Sequence, residues 1–261
     1  MFYERDEDRR AVVVLTPSES KRLIARAVVK ISEVSEAMGS GRIVIIGSST
    51  NAFVREELTG EDVDKFQSAV GRITKGELSA IKVEDRLSPL VLIDGLSKDI
   101  TPKEALEGFT AKDVYVKGAN AVDIDGNVGI LLSSDYGGTI AMALGVVTAR
   151  GANLIVPVGL EKLVPSVVEA AEALGGQGRI DFSTGEKVAL MVLTSAKVVT
   201  EIEAIDILFG AEVTATHVAS GGIGGSEGSV TLVLNGTKAS VKDAFDYISN
   251  LKGEPAIYPK G

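Results

Sequence analysis

The chain has 261 residues, with 27 Lys and Arg against 36 Asp and Glu, one His, no Trp and no Cys, and a formal net charge of −9 at pH 7. That length holds one large domain or two modest ones, and an acidic, aromatic-poor composition argues against a nucleic-acid backbone or an anionic membrane as the main partner. The absence of Cys excludes disulfides, zinc thiolates, iron–sulfur clusters and cysteine nucleophiles.

Met1–Arg10 carries charges of both signs, unlike a secretory signal, and is expected to fray. Ala11–Leu15 is a short apolar run, and Thr16-Pro17-Ser18-Glu19 carries the residues of a capping box with proline at the first helical position. The spacing of Leu23, Ile24, Ala27, Val28, Ile31 and Val34 predicts one helix running to about Met38, stopped by Gly39-Ser40-Gly41. Arg42–Ile46 reads as a buried strand of the parallel kind, closed by Gly47-Ser48-Ser49-Thr50, with a helix over Asn51–Leu58. Glu61–Ile73 reads as further helix, Leu90–Ile93 as a strand, Lys103–Leu106 as a brief helix and Val114–Val116 as a strand. Beyond it come an Asp125-Gly126 turn, strand Val128–Leu132, glycine turn Gly137-Gly138, helix Thr139–Ala149 and strand Leu154–Val158. The longest apolar run, Ile140–Val147, is far too short to span a bilayer. Strands alternating with helices predict a Rossmann-like α/β fold, its mainly parallel sheet covered by helices on both faces, over residues 1–185. Val188–Leu193, Val198–Leu208, Glu212–Ala219, Val230–Leu234, Ser240–Leu251 and Ala256–Tyr258 then follow the order β-α-β-β-α-β, which predicts a ferredoxin-like α+β domain over residues 186–261 that serves as lid or interface.

Two constellations could carry chemistry. Gly47, Ser48, Ser49, Thr50 and Asn51 lie between a buried strand and a helix, where free helix amides and hydroxyls suit a phosphate or carboxylate, or simply an N-cap. A side chain at Gly47 is expected to crowd such an anion. The second set is Asn120, Asp123, Asp135, Gly137, Gly138 and Thr139, each near a strand end where open α/β sheets bind ligands; a solvated hairpin turn is the plain alternative for its carboxylates. Asp123-Ile124-Asp125-Gly126 lacks the Glu of a calcium loop, His217 has no partner spaced for a metal, and Gly221–Gly228 reads as a hairpin loop. No metal and no cofactor is expected.

These blocks resemble, in order, the superfamily that unites ribose-5-phosphate isomerase, glucosamine-6-phosphate deaminase and the CoA transferases. Gly47–Thr50 is similar to its phosphate loop, Gly118–Asp123 (GANAVD) to its Gly-Ala block and Gly137–Thr139 to its glycine turn. Pro157–Pro165 (PVGLEKLVP) resembles a segment of lactate-utilisation-type domains, and the C-terminal stretch the small lid domain of the isomerase. The resemblance covers about residues 41–165 and implies a sugar-phosphate, CoA or hydroxy-acid ligand and self-association. It fails at the isomerase's acids: Lys117 and Asn120 stand at two Asp places, while Ser134 and Ala143 stand where its Lys and its carboxylate base map. Neither Asn nor Ala can act as a general base, so isomerase chemistry is not expected. The sequence therefore supports a cytoplasmic homo-oligomer that binds a small anionic metabolite, or alternatively a non-catalytic regulatory or assembly subunit.

Overall fold

The computed structural model describes residues 8–259. Arg9 and Arg10, expected to fray, open strand β1 (Arg9–Leu15), and residues 1–7 of that stretch lie outside the described residues. In β1 the period of two puts Val13 and Leu15 into the core and leaves Val12 and Val14 facing out. The capping box forms as its residues demand, Thr16 N–H donating to Glu19 and Glu19 N–H to Thr16 Oγ1, and it starts α1 (Pro17–Val28). The helix does not run on to Met38. The β-branched Val28, Val29 and Ile31 break it, Ile31 taking an extended conformation with its side chain in the core, and α2 (Ser32–Ser40) restarts.

The chain continues through β2 (Arg42–Ile45), α3 (Ser49–Thr59), α4 (Lys65–Ser68), β3 (Gly71–Thr74), β4 (Glu77–Ala80), β5 (Leu90–Ile93), β6 (Leu96–Ser97) and α5 (Pro102–Glu107). Where helix was expected over 61–73, only the single turn of α4 forms, followed by the β3–β4 hairpin. Lys75 and Gly76 both adopt positive φ at its tip, the geometry a two-residue turn requires. Next come β7 (Val114–Val116), β8 (Ala121–Val122), β9 (Val128–Leu132), α6 (Gly138–Arg150), β10 (Asn153–Pro157), α7 (Val167–Leu174), β11 (Ala189–Leu193), β12 (Lys197–Val199), α8 (Glu201–Phe209), β13 (Val213–Gly221), β14 (Ser229–Gly236) and α9 (Lys238–Ser249).

The fold is mixed α/β. Its main sheet has the order β12-β10-β7-β2-β5-β6; the first four strands are parallel, and β5 and β6 add antiparallel at one edge. Alternation sends Ile43, Ile45, Val114 and Val116 to one face, where they join Phe53 and Val54 of α3, the apolar side of α1, and Ala204 and Ile205 of α8. Val44, Ile46 and Tyr115 point to the other, against α5, α6 and β9. A small sheet β8-β9-β11 flanks this second face.

The chain beyond residue 185 departs from the expected ferredoxin-like order. β11 pairs with β9, and β12 joins the main sheet beside β10. β13 and β14 form a hairpin around Gly221–Gly228, but residues 256–258 form no strand. The third strand of that sheet is β1, paired antiparallel with β14 from Arg9↔Gly236 to Leu15↔Val230. Val13, Leu15, Leu232 and Leu234 of this sheet share one core with α1, α8 and α9, so the first and last strands of the chain complete each other. Leu234→Ala should therefore destabilise the protein by about 2–5 kcal/mol in chemical denaturation. A fragment of residues 186–261, which lacks β1, should show an unfolded far-ultraviolet circular dichroism spectrum; a cooperative melt of that fragment would contradict this account.

Candidate functional site

Strands β2 and β7 lie side by side and parallel, and their continuations part. The chain leaving β2 enters α3 on one face, while the chain leaving β7 reaches α6 on the other. Such a parting leaves a crevice at the carboxyl ends of the two strands. A cavity of about 490 Å³ opens there. The β2 turn supplies Gly47, Ser48 and Ser49; the end of β7 supplies Lys117, Gly118, Ala119 and Asn120; the start of α6 supplies Gly137, Gly138 and Thr139. The β3–β4 hairpin forms another wall through Arg72, Ile73, Leu78 and Ser79, fastened by Leu78 N–H to Thr184 O and Glu186 N–H to Leu78 O. Gly185 permits that approach, since a Cβ there would lie 2.0 Å from Leu78 O.

Local chemistry places these groups. Ser48 caps α3 by accepting from Asn51 N–H at 3.0 Å. Gly118 leaves room for that serine, because a Cβ at 118 would stand 2.5 Å from Ser48 Oγ. The start of α6 is different: its N-cap is Gly137, with left-handed backbone and no capping side chain. Its first amides face the cavity end of the helix without a side-chain acceptor, which favours a negative charge. The Tyr115 hydroxyl, buried beneath, donates to Thr139 O at 2.9 Å and fixes this end of the helix.

Of the residues singled out from the sequence, Gly47, Ser48, Ser49, Asn120, Gly137, Gly138 and Thr139 line the cavity together. Thr50 and Asn51 are buried behind it, and Asn51 Nδ2 donates to Ile46 O and Val116 O. Gly47 answers to packing: a Cβ would stand 2.9 Å from Ser68 O and would press on Val70. Gly47→Val would thus disturb the approach of the segment after α4 rather than simply crowd an anion. Asn120 Oδ1 accepts from Leu131 N–H at 3.0 Å. Asp123 lies outside the cavity, its carboxylate accepting from Asp125 N, Asn127 N, Asn127 Nδ2 and Val167 N. Asp135 is exposed outside it as well. His217, beside Ala219 O and Ser220 Oγ at a bulge in β13, takes no part.

Sequence reading passed over the cations. Lys117, the residue after β7, and Lys162, at the end of the turn Leu160–Lys162, are half-buried in the cavity wall with Arg72 and Arg86; Glu186 is the one carboxylate residue among the lining. Burial and the neighbouring charge of Lys162 pull the Lys117 ammonium down to about 8. Burial and Lys21 do the same to Lys162, also to about 8, against the opposing pull of Glu161 and Glu201. Lys162 Nζ donates to Ala119 O at 2.8 Å and Arg86 Nε to Ile81 O, whereas Lys117 Nζ has no hydrogen-bond or ion-pair partner among the described residues. A lysine directly after a fully apolar strand was the available signal for Lys117. Among the described residues no His, Cys, Asp and Glu cluster could hold a metal ion, and no helix is long and apolar enough to cross a membrane.

Compared with protein-family models, curated proteins and solved structures, the chain matches none.

Asp123 is a part of the scaffold beside the cavity. Burial raises its carboxyl, but the hydrogen bonds from Val167, Asn127 and Asp125 outweigh this and hold it below its ordinary value. Its stabilising contribution is therefore full above the ordinary carboxyl range and lost as pH falls through the lower folded value. Asp123→Ala should cost about 3 kcal/mol at neutral pH by stranding the donors of the turn and of α7. It should leave anion affinity unchanged, and the stability gap between the two proteins in chemical denaturation should narrow as pH is lowered from 7 through the carboxyl range.

Proposed function

We propose that the protein binds a small phosphorylated or carboxylated metabolite in the crevice at the ends of β2 and β7, on a Rossmann-like arrangement of the parallel strands. The observation that carries this reading is the gathering of Lys117 and Lys162 with the uncapped start of α6 around one cavity, in a chain of net charge −9. Two half-buried lysines, Lys117 depressed by burial and Lys162, and Lys162 by burial and Lys21, gain most from an anion placed beside them. Helix amides and the hydroxyls of Ser48, Ser49 and Thr139 offer the directional donors that a phosphate or carboxylate needs.

Sulfate, which does not titrate near neutrality, tests this by calorimetry. Lys162→Gln should weaken binding at least tenfold, since one charge-assisted hydrogen bond is worth about 1.5–3 kcal/mol. Ser49→Ala should weaken it less. Both lysines are charged below about pH 8 and lose that charge above it, so affinity should hold from pH 6 to 7.5 and fall as pH rises beyond 8. Affinity that is unchanged by Lys162→Gln and flat across pH 8 would remove the reading.

A second reading, an assembly subunit or a homo-oligomer, has its own observation. The outer face of the β1-β14-β13 sheet leaves Val12, Val14 and Val218 at 60%, 45% and 53% exposure on the side away from the core. Burying such β-branched side chains against a second sheet would be favourable. Light scattering at micromolar concentration should then give a multiple of the chain mass, reverting to one chain in Val12→Lys/Val14→Lys. A single-chain mass for the unaltered protein would rule it out.

A further inference from the structure

Lys117 is set apart from every other cation near the crevice. Its backbone N–H donates to Ile155 O at 3.0 Å, which fixes its Cα at the carboxyl end of the interior strand β7. The side chain lines the cavity and is half-buried, and its Nζ meets no carboxylate or carbonyl among the described residues. Neighbouring bases are all engaged: Lys162 with Ala119 O, Arg86 with Ile81 O, Arg72 with Phe66 O and its ring, and Lys21 with Glu161. An ammonium withdrawn from water without a counter-ion is expensive, which shifts the balance toward the free amine. A second cation beside it, Lys162, pushes in the same direction, as in enzymes whose lysine nucleophile is activated by an adjacent positive group.

We propose that Lys117 is a nucleophile that forms an imine with a small aldehyde or ketone bearing the phosphate or carboxylate held in this cavity. The assignment rests on the anion-binding reading above and adds a carbonyl to the ligand's chemistry. The lone pair of Nζ attacks the carbonyl carbon; the carbon–nitrogen bond forms while the carbon–oxygen π pair moves to oxygen, which takes a proton from the Lys162 ammonium. The nitrogen of this carbinolamine returns a proton to Lys162. Lys162 protonates the hydroxyl, which leaves as water while the nitrogen lone pair forms the carbon–nitrogen double bond, and the resulting iminium N–H returns its proton to Lys162 to give the imine. One amine and one carbonyl yield one imine and one water, with no oxidant or reductant. At pH 7 to 8 a usable fraction of Lys117 is amine, since burial and Lys162 hold it near 8.

Reductive trapping tests this with the full chain. Dihydroxyacetone phosphate or pyruvate is incubated with the protein and sodium cyanoborohydride, and the adduct is located by peptide mass spectrometry, with sulfate calorimetry run in parallel. The expected result is one adduct per chain on Lys117, suppressed by excess sulfate and absent in Lys117→Arg. In Lys162→Gln the trapping profile should move to higher pH, because the repelling charge is gone while Arg72, Arg86 and Glu186 stay in place. A merely structural Lys117 would not produce that displacement. Mapping on the unaltered protein decides the question even where a variant folds poorly. Sulfate binding without any Lys117 adduct, or adducts scattered over exposed lysines at equal yield in Lys117→Arg, overturns the imine and leaves anion binding standing. Absence of both sulfate binding and a Lys117 adduct removes both.

Discussion

The Asn51 side chain ties the two strands whose divergence makes the crevice. Its Nδ2 donates to Ile46 O at 2.7 Å and to Val116 O at 3.2 Å, so one carboxamide spans the last carbonyls of β2 and β7 at 1% exposure. Ile46 N–H donates to Val116 O at 3.1 Å where the chains turn to opposite faces, and Asn51 adds a second donor to Val116 O and one to the buried Ile46 O. With the ends held, Ser48 and Lys117-Gly118 are forced into contact range, and the glycine at 118 is what the serine hydroxyl requires. The cavity, the cap of α3 and the position of Lys117 all follow from that tie.

Behind the cavity the fold handles charge in two ways. Arg22 is surrounded by Glu56, Glu57 and Glu254 and stacks over Phe53, so burial opposes but these three partners raise its hold on the proton. That network joins α1, α3 and the C-terminal segment, and it is compensated charge of a structural kind. Lys162 sits on a turn held from the rear: Glu201, fully buried at the start of α8, accepts from Leu160 N–H at 2.8 Å, and Glu161 pairs with Lys21 of α1. Burial raises the Glu201 carboxyl above its ordinary value. The β1-β14-β13 sheet and its helices therefore reach the crevice indirectly, because α1 and α8 carry the groups that fix the Lys162 turn. Lys117 has no such rear guard.

Local signals were legible in the sequence where a side chain and the backbone it bonds lie a few residues apart. Thr16 and Glu19 marked α1, Ser48 marked α3, and the apolar run at 42–46 marked β2. A third signal of the same kind, Thr200-x-x-Glu203, also forms a capping box and starts α8; the Lys197–Val199 strand before it was merged into the helix because Val198 continues the spacing of Ile202 and Ile205. The β3–β4 hairpin escaped because its residues are only partly buried and so carry no clean alternation. The pairing of β1 with β14 joins the two ends of the chain and has no local signature. For the same reason Lys117 and Lys162, unremarkable singly, became a pair only when the β7 end and the Leu160–Lys162 turn met.

The surroundings of Ala143 and Asn120 bear on which groups near the crevice could take part in the proposed chemistry. Ala143 is fully buried in α6 within the second core, so a carboxylate there would lie among apolar side chains. The Asn120 oxygen is already used on Leu131 N–H, which makes the residue part of the β8–β9 fold more than a free group. Glu186, the one carboxylate residue among the lining, is exposed, so the half-buried groups able to supply an electron pair are the amines of Lys117 and Lys162. The two candidates are not equivalent, for Lys162 donates to Ala119 O, a bond that favours its charged form, whereas Lys117 has no acceptor among the described residues to stabilise an ammonium. An anion held by Lys162 and the start of α6 would strengthen that asymmetry, keeping the proton on the tethered lysine. In the proposed chemistry the amine fraction of Lys117, appreciable near pH 8, then faces the bound molecule with its acid partner beside it.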